Sequence, residues 1–318
     1  MKRNRKTVRL GFGAAVLALA GTGLFWLPAS AQPGAQQTAQ PEQAPQQNVA
    51  VNLNITPKRL VLERGNRSGT VYIFNQGSVP ATFDISLVER VMLPSGEIKP
   101  LAEARTEPQS QAIASKLASA QSLLVAAPRR VSLAPGKGQT IRIRATAPAD
   151  AVGEYRTHLT VTTVPPRDTG VTAEQAREGG AGQLSFQITS VFGLSIPVIV
   201  RPGPVDARGA IENMRLSHAD ISPDGVARPV RTPVVQFELR RVGANSLFGN
   251  IEVRSARGKE RNPLGMARGI GVYPEISSRM IQIPLRRAPL AGEQLEIIFT
   301  DDDSSPGRIT ARSTLKTS

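Results

Sequence analysis

The sequence predicts an all-β chain made of two β-sandwich domains in tandem. Three observations carry this. Apolar and polar residues alternate over short runs such as "VAVNLNITPKRLVLE" and "ATFDISLVERVML". Period two places the two sets on opposite faces of a strand. Clusters of Gly, Pro and Asn separate these runs at about 8–12 residues, the spacing of a sandwich. No strand–helix–strand spacing occurs, which argues against a dinucleotide-binding fold. The expected divisions are 1–31, 32–48, 49–202 and 203–318.

Residues 1–31 read as a secretory signal. "MKRNRKTVR" holds five basic residues, "LGFGAAVLALAGTGLFWL" is an apolar core, and "PASA" ends it with Ala29 and Ala31 in A-x-A positions. This layout predicts cleavage after Ala31 and export. A retained membrane anchor is the alternative. No later stretch is long and apolar enough to span a bilayer, so no stable membrane insertion is expected after cleavage. Residues 32–48, "QPGAQQTAQPEQAPQQN", lack any apolar period and predict a disordered linker.

In the first domain the short strands are broken by "RGNRSG", "QGSVP" and "PSGEI". The stretch 108–124, "PQSQAIASKLASAQSLL", interrupts the β pattern. Its Ile113, Leu117 and Leu124 suggest a short helix or an ordered excursion. Residues 165–183 read as a long loop that leads into "AGQLSFQITSVFGLSIPVIVRP". Here Leu184, Phe186, Ile188, Phe192, Leu194, Ile196, Val198 and Val200 share one face, with Ser190 the only polar member. A single strand over this run would be roughly 55 Å long, against about 5–6 residues for an ordinary strand. Two shorter strands broken at Gly193 are the other reading. "RPGPVDARG" then forms an extended hinge, and seven further alternating runs make the second domain.

Composition excludes several chemistries. The chain has no cysteine and two histidines, His158 and His218. Disulfide staples, thiol catalysis and Cys-ligated zinc are therefore absent. His158 sits in "YRTHLTVTTV" and reads as a strand residue. Gly-Ile-Gly at 269–271 lacks the third glycine of a dinucleotide loop. Asp301, Asp302 and Asp303 lack the spaced ligands of a calcium loop and read as a turn or ion-pair partners. No catalytic constellation and no cofactor is predicted. The formal charge is +14, or +9 without the leader's five basic residues. The basic residues are scattered, and aromatics make up only 4%. Nucleic acid is therefore not an expected partner.

The stretches "ITPKRLVLERGNRSGTVYIFNQGSVPATFDISL", "RRVSLAPGKGQTIRIRA", "EYRTHLTVTTVPP" and "SIPVIVRP" resemble periplasmic pilus-assembly chaperones of the PapD type. The resemblance covers roughly Val49 to Pro202 and implies two immunoglobulin-like sandwiches joined in an L. It implies a non-enzymatic periplasmic chaperone that binds pilin-like subunits by donor-strand complementation, working with an outer-membrane usher. Phe186, Ile188, Phe192 and Leu194 would be the donated residues. Arg59 in "PKRLVLE" would grip the client's terminal carboxylate. Pro197 stands where such chaperones carry a second cation; a divergent client, a different cation such as Lys58, or loss of the usher pathway are the readings this leaves open. Glu154, Arg201 and one of Asp301 to Asp303, with Asp302 the expected member, would tie the two domains together. An exported structural or adhesive sandwich without chaperone activity is the alternative, and a basic polyanion-binding module is the third.

Overall fold

The computed structural model describes residues 52–148, 151–165, 191–222, 225–256 and 262–317. Asn48–Ser318 cluster as one compact unit. The expected leader and linker lie outside the described residues, as do most of the 165–183 loop, Phe186 and Ile188.

The first half holds β1 (Leu53–Thr56), β2 (Leu60–Glu63), β3 (Ser68–Asn75), β4 (Ala81–Val88), β5 (Arg90–Met92), β6 (Ile98–Pro100), α1 (Leu101–Thr106) and α2 (Pro108–Ala114). It continues through β7 (Leu124–Ala127), β8 (Arg130–Leu133), β9 (Gly138–Ala145), β10 (Tyr155–Val164) and β11 (Gly193–Arg201). One sheet has the order β1-β3-β9-β7 and the other β2-β11-β10-β4-β8. These are the ABED and CFG sheets of an immunoglobulin-like sandwich, with the first strand split between them. Alternation explains the packing. In β9, Ile141 and Ile143 are buried while Thr140, Arg142 and Arg144 face solvent. Val71, Ile73, Phe83, Leu159, Val161 and Val198 close the core from the other strands.

The second half holds β12 (Gly209–Ile221), β13 (Val230–Arg241), β14 (Leu247–Ser255), β15 (Gly265–Val272), β16 (Ser278–Pro284), β17 (Gln294–Asp301) and β18 (Ile309–Lys316). Its sheets are β12-β13-β16 and β15-β14-β17-β18. Read in chain order, these are an A-B-E sheet against a sheet that adds a fourth strand beside C, F and G, again immunoglobulin-like. Phe237, Leu239, Ile251, Val253, Ile297 and Phe299 fill the interior.

The excursion expected at 108–124 is ordered and begins earlier, at β5. Val91, Leu101, Ala104 and Ala114 form a small core of their own. Met92 on β5, however, belongs to the core of the second sandwich, with Ile98 and Ile113 packed against it. Val61 on β2 and Ile199 on β11 reach the same core. The second interior is therefore completed by residues from the first half. The turn between β5 and β6 presses on Arg279, so a side chain at Gly96 would collide with that guanidinium, and its φ of +91° also favours glycine.

Candidate functional site

The described part of the long apolar run is β11, nine residues. Its two faces do different work. Leu194, Ile196, Val198 and Val200 turn into the first core. Ile199 and Arg201, on the opposite face, turn toward the second sandwich and are 0% exposed. Leu194 thus packs inside its own domain opposite Val161 and is not an offered side chain, contrary to expectation. The reason is register: the period that would present Leu194 also places Ile196 and Val198 in the core. Phe192 lies just before the strand and is 47% exposed, with its N–H donating to Thr163 Oγ1 at 2.9 Å.

One edge of β11 is fully paired with β10. The other is paired with β2, in parallel, only from Val198 to Arg201. Among the described residues no strand covers Gly193–Pro197 on that side. Thr163 N–H donates to Phe192 C=O at 2.8 Å, which fixes the phase of the β10 ladder. By the antiparallel alternation, Gly193, Ser195 and Pro197 direct their backbone groups to the uncovered edge. Pro197 has no N–H, so this edge offers donors at Gly193 and Ser195 and only an acceptor at Pro197. The edge ends where β2 begins, with Leu60 opposite Val198. Lys58 and Arg59 therefore stand at its end.

Three arginines from the first sandwich meet carboxylates at the junction. Arg201 Nε donates to Glu154 Oε2 at 2.9 Å, and its other nitrogens reach Asp303 Oδ2 at 2.8 Å, Ser246 Oγ at 3.0 Å and Ser304 Oγ at 2.5 Å. Ser246 N–H donates to the same Glu154 oxygen at 3.0 Å. Arg59 donates to Asp303 Oδ2 at 2.8 Å, to Ser246 Oγ at 3.2 Å and to the Tyr273 hydroxyl at 3.2 Å. Its guanidinium also lies 4.5 Å from the Phe248 ring centre. Arg156 donates to Glu275 Oε1, which also accepts the Met92 N–H at 2.8 Å. Tyr273 stacks 4.1 Å from the Arg156 guanidinium.

One expectation changes here. The third carboxylate of the junction is Asp303, not Asp302. Asp301 ends β17 and accepts the Ser305 N–H to close the turn, and Asp302 is exposed, its N–H donating to Phe248 C=O. That turn directs the next side chain, Asp303, inward. Arg59 is not an open cation. Its side chain is only 8% exposed and is already paired with Asp303. Lys58 is exposed and donates to the Asn54 side chain at 3.2 Å.

Burial works against the charge on Asp303, but Arg59 and Arg201 outweigh it and hold the carboxyl below its ordinary pKa. Burial likewise opposes the charge on Arg201, and Glu154 and Asp303 more than restore it. His158 lies on β10 beside this cluster, with Nδ1 3.5 Å from Arg156. Burial first, then the charges of Arg156, Arg90 and Arg59, lowers its pKa to about 3. It is neutral at neutral pH. Sequence reasoning missed Arg156, Glu275, Tyr273 and Ser246. A weak signal existed in "YRTHLT": Arg156 and His158 occupy alternate positions of a strand, so they share a face.

The fold and site define an all-β, two-sandwich protein with a charge-locked junction and one partly uncovered strand. No family model matches the chain, and no curated protein matches it. It is similar to solved structures of pilus chaperones. The E. coli chaperone DraB is 13% identical at a TM-score of 0.41, covering 84% of this chain and 97% of that one. The YadV chaperone is 12% identical at 0.39, covering 83% and 98%. The CsuC–CsuE chaperone–tip adhesion subunit pre-assembly complex, from archaic chaperone-usher pili of Acinetobacter baumannii, is 12% identical at 0.39, covering 84% and 98%. At such identities the two-sandwich assignment rests on this chain's own strand order. No helix of the described residues is long and apolar enough to cross a membrane.

Proposed function

We propose that the chain is an exported, non-enzymatic chaperone that holds pilin-like subunits by strand addition. The uncovered edge of β11 over Gly193–Pro197 carries this reading. An exposed edge recruits another strand through backbone hydrogen bonds, and alternate side chains set specificity. In this reading the guest pairs with Gly193 and Ser195 and extends toward Phe192, Ile188 and Phe186. A guest parallel to β11 ends against Lys58 and Arg59, because β2 continues the same direction from Leu60. A terminal carboxylate there competes with Asp303 for Arg59. The periplasm is the proposed compartment, and an outer-membrane usher the proposed second partner.

The test compares Ile188→Asp and Phe192→Asp with the parent chain. Client capture is read from pilin-like subunits that co-purify from periplasm with the tagged protein, and thermal unfolding is measured alongside. Losing one buried apolar side chain from the complex costs about 1.5–3 kcal/mol, roughly 10- to 100-fold in affinity. The expected result is folded, soluble protein that no longer holds subunits. Leu194→Asp serves as a contrast, since it puts a carboxylate against the protein's own core and should lower the melting temperature. Failure of both Ile188→Asp and Phe192→Asp to fold favours the structural module, whose apolar run is all core.

A further inference from the structure

A second uncovered edge lies on the opposite sheet of the first sandwich. β7 ends the order β1-β3-β9-β7 and pairs only with β9 among the described residues. Thr146 N–H donates to Leu123 C=O at 2.8 Å, which sets the phase of that ladder. Val125 and Ala127 therefore bond β9, while Leu124 and Ala126 direct N–H and C=O outward. Hollows flank this edge on both sides. One, of about 320 Å³, lies between β7 and β4 and is lined by Ile85, Leu87, Leu124 and Ala126, with Arg129 at its margin. The other, of about 610 Å³, lies on the outer sheet face over Thr70, Val125, Ala127, Arg142 and Arg144.

Charge marks this face. Some exposed strand arginines sit on carboxylates, Arg130 on Asp84, Arg240 on Glu212 and Arg254 on Glu252, while others, such as Arg215 on the Gln236 side chain, do not. Arg142 and Arg144 have no ion-pair partner among the described residues, and the outward positions of β3, β9 and β7 carry no Asp or Glu. Register places Arg144 beside Val125 and Arg142 beside Ala127. Those two small side chains leave the guanidinium groups room to reach across β7. A strand added to β7 would lie about 9–10 Å from β9, two strand spacings away. Arg and Glu side chains together span that distance.

We infer that β7 is a docking edge for an acidic extended segment whose carboxylates alternate with apolar residues. The carboxylates meet Arg142 and Arg144 on the outer face. The apolar residues enter the hollow beside Ile85 and Leu87. This site is independent of the β11 edge, on the other sheet, and does not rest on the chaperone reading.

The probe is a fluorescein-labelled, end-capped octapeptide of four Glu-Val repeats, titrated into the full mature chain by anisotropy. A Lys-Val octapeptide is the control. Saturable binding of the Glu-Val peptide is expected. It should weaken at least tenfold in Arg142→Glu/Arg144→Glu and leave the Lys-Val peptide unbound. Both arginines are exposed, so the variant should unfold at the parent temperature; if it does not, Arg142→Gln/Arg144→Gln and the salt dependence of the parent replace it. Amide exchange should slow at Leu124 and Ala126 on binding. Absence of binding, equal binding of the Lys-Val peptide, indifference to the arginine changes, or protection confined to Gly193 and Ser195 would each overturn the inference.

Discussion

Removing Glu275 should cost more than any surface change in the chain. Its carboxylate is 2% exposed and accepts from Arg156, itself 1% exposed, and from the Met92 N–H. Glu275→Ala leaves a buried guanidinium without its counter-charge and a backbone donor without its acceptor. Breaking such a pair from one side costs about 3–5 kcal/mol. At about 2–4 °C per kcal/mol for a chain of this order of size, the melting temperature falls by roughly 6–20 °C. The pair itself adds far less, because both groups lost their water on folding. Arg156→Met/Glu275→Leu should therefore recover most of the loss. The assay is urea unfolding of the parent and both variants, followed by two probes so that separate melting of the sandwiches shows. A Glu275→Ala loss below about 1 kcal/mol would refute the reasoning, since that is the scale of an exposed pair. A double variant less stable than Glu275→Ala would refute it too.

Two further outcomes follow from the same junction. His158, at about 3, binds its proton far less readily in the folded chain than at its ordinary 6.5. The unfolded chain binds more protons between those values, so stability is full above about 6.5 and falls as pH drops toward 3. His158→Gln should flatten that limb of a stability–pH curve, whose slope from one group approaches about 1.4 kcal/mol per pH unit; an unchanged curve would count against burial of the neutral ring. Asp303→Ala should lower the melting temperature clearly and Asp302→Ala hardly at all, because only Asp303 bridges Arg59 and Arg201. Equal effects in differential scanning calorimetry would contradict the placement of the two carboxylates.

Much of the architecture was legible because alternation is local. "GQTIRIRA" declares which face is inside without reference to any other strand, and β9 obeys it. Glu154 and Arg201 were reachable only through resemblance, and the choice among three consecutive aspartates was not. Which of them points inward depends on how the turn after β17 closes, through Asp301 and Ser305. Arg156 and Glu275 were out of reach for a different reason. They stand 119 residues apart, and a polar residue on a strand's second face reads as solvated unless another domain covers it. The pairing of Arg59 with Asp303, 244 residues away, was hidden for the same reason. Met92 falls in the alternating run "ATFDISLVERVML", and nothing nearby marks it as an interior residue of the other sandwich.

That borrowed interior sets an order of assembly during synthesis. Val61, Met92, Ile113 and Ile199 all precede Gly209, where the second sandwich starts its first strand. The earlier half can complete its own core while the later half is still being made, and it then presents these side chains as a template. The later half cannot do the reverse. Made alone, it would lack Met92 and Ile199, two members of its buried cluster. The two halves are thus unequal in autonomy, and the ribosome delivers them in the order that suits this inequality.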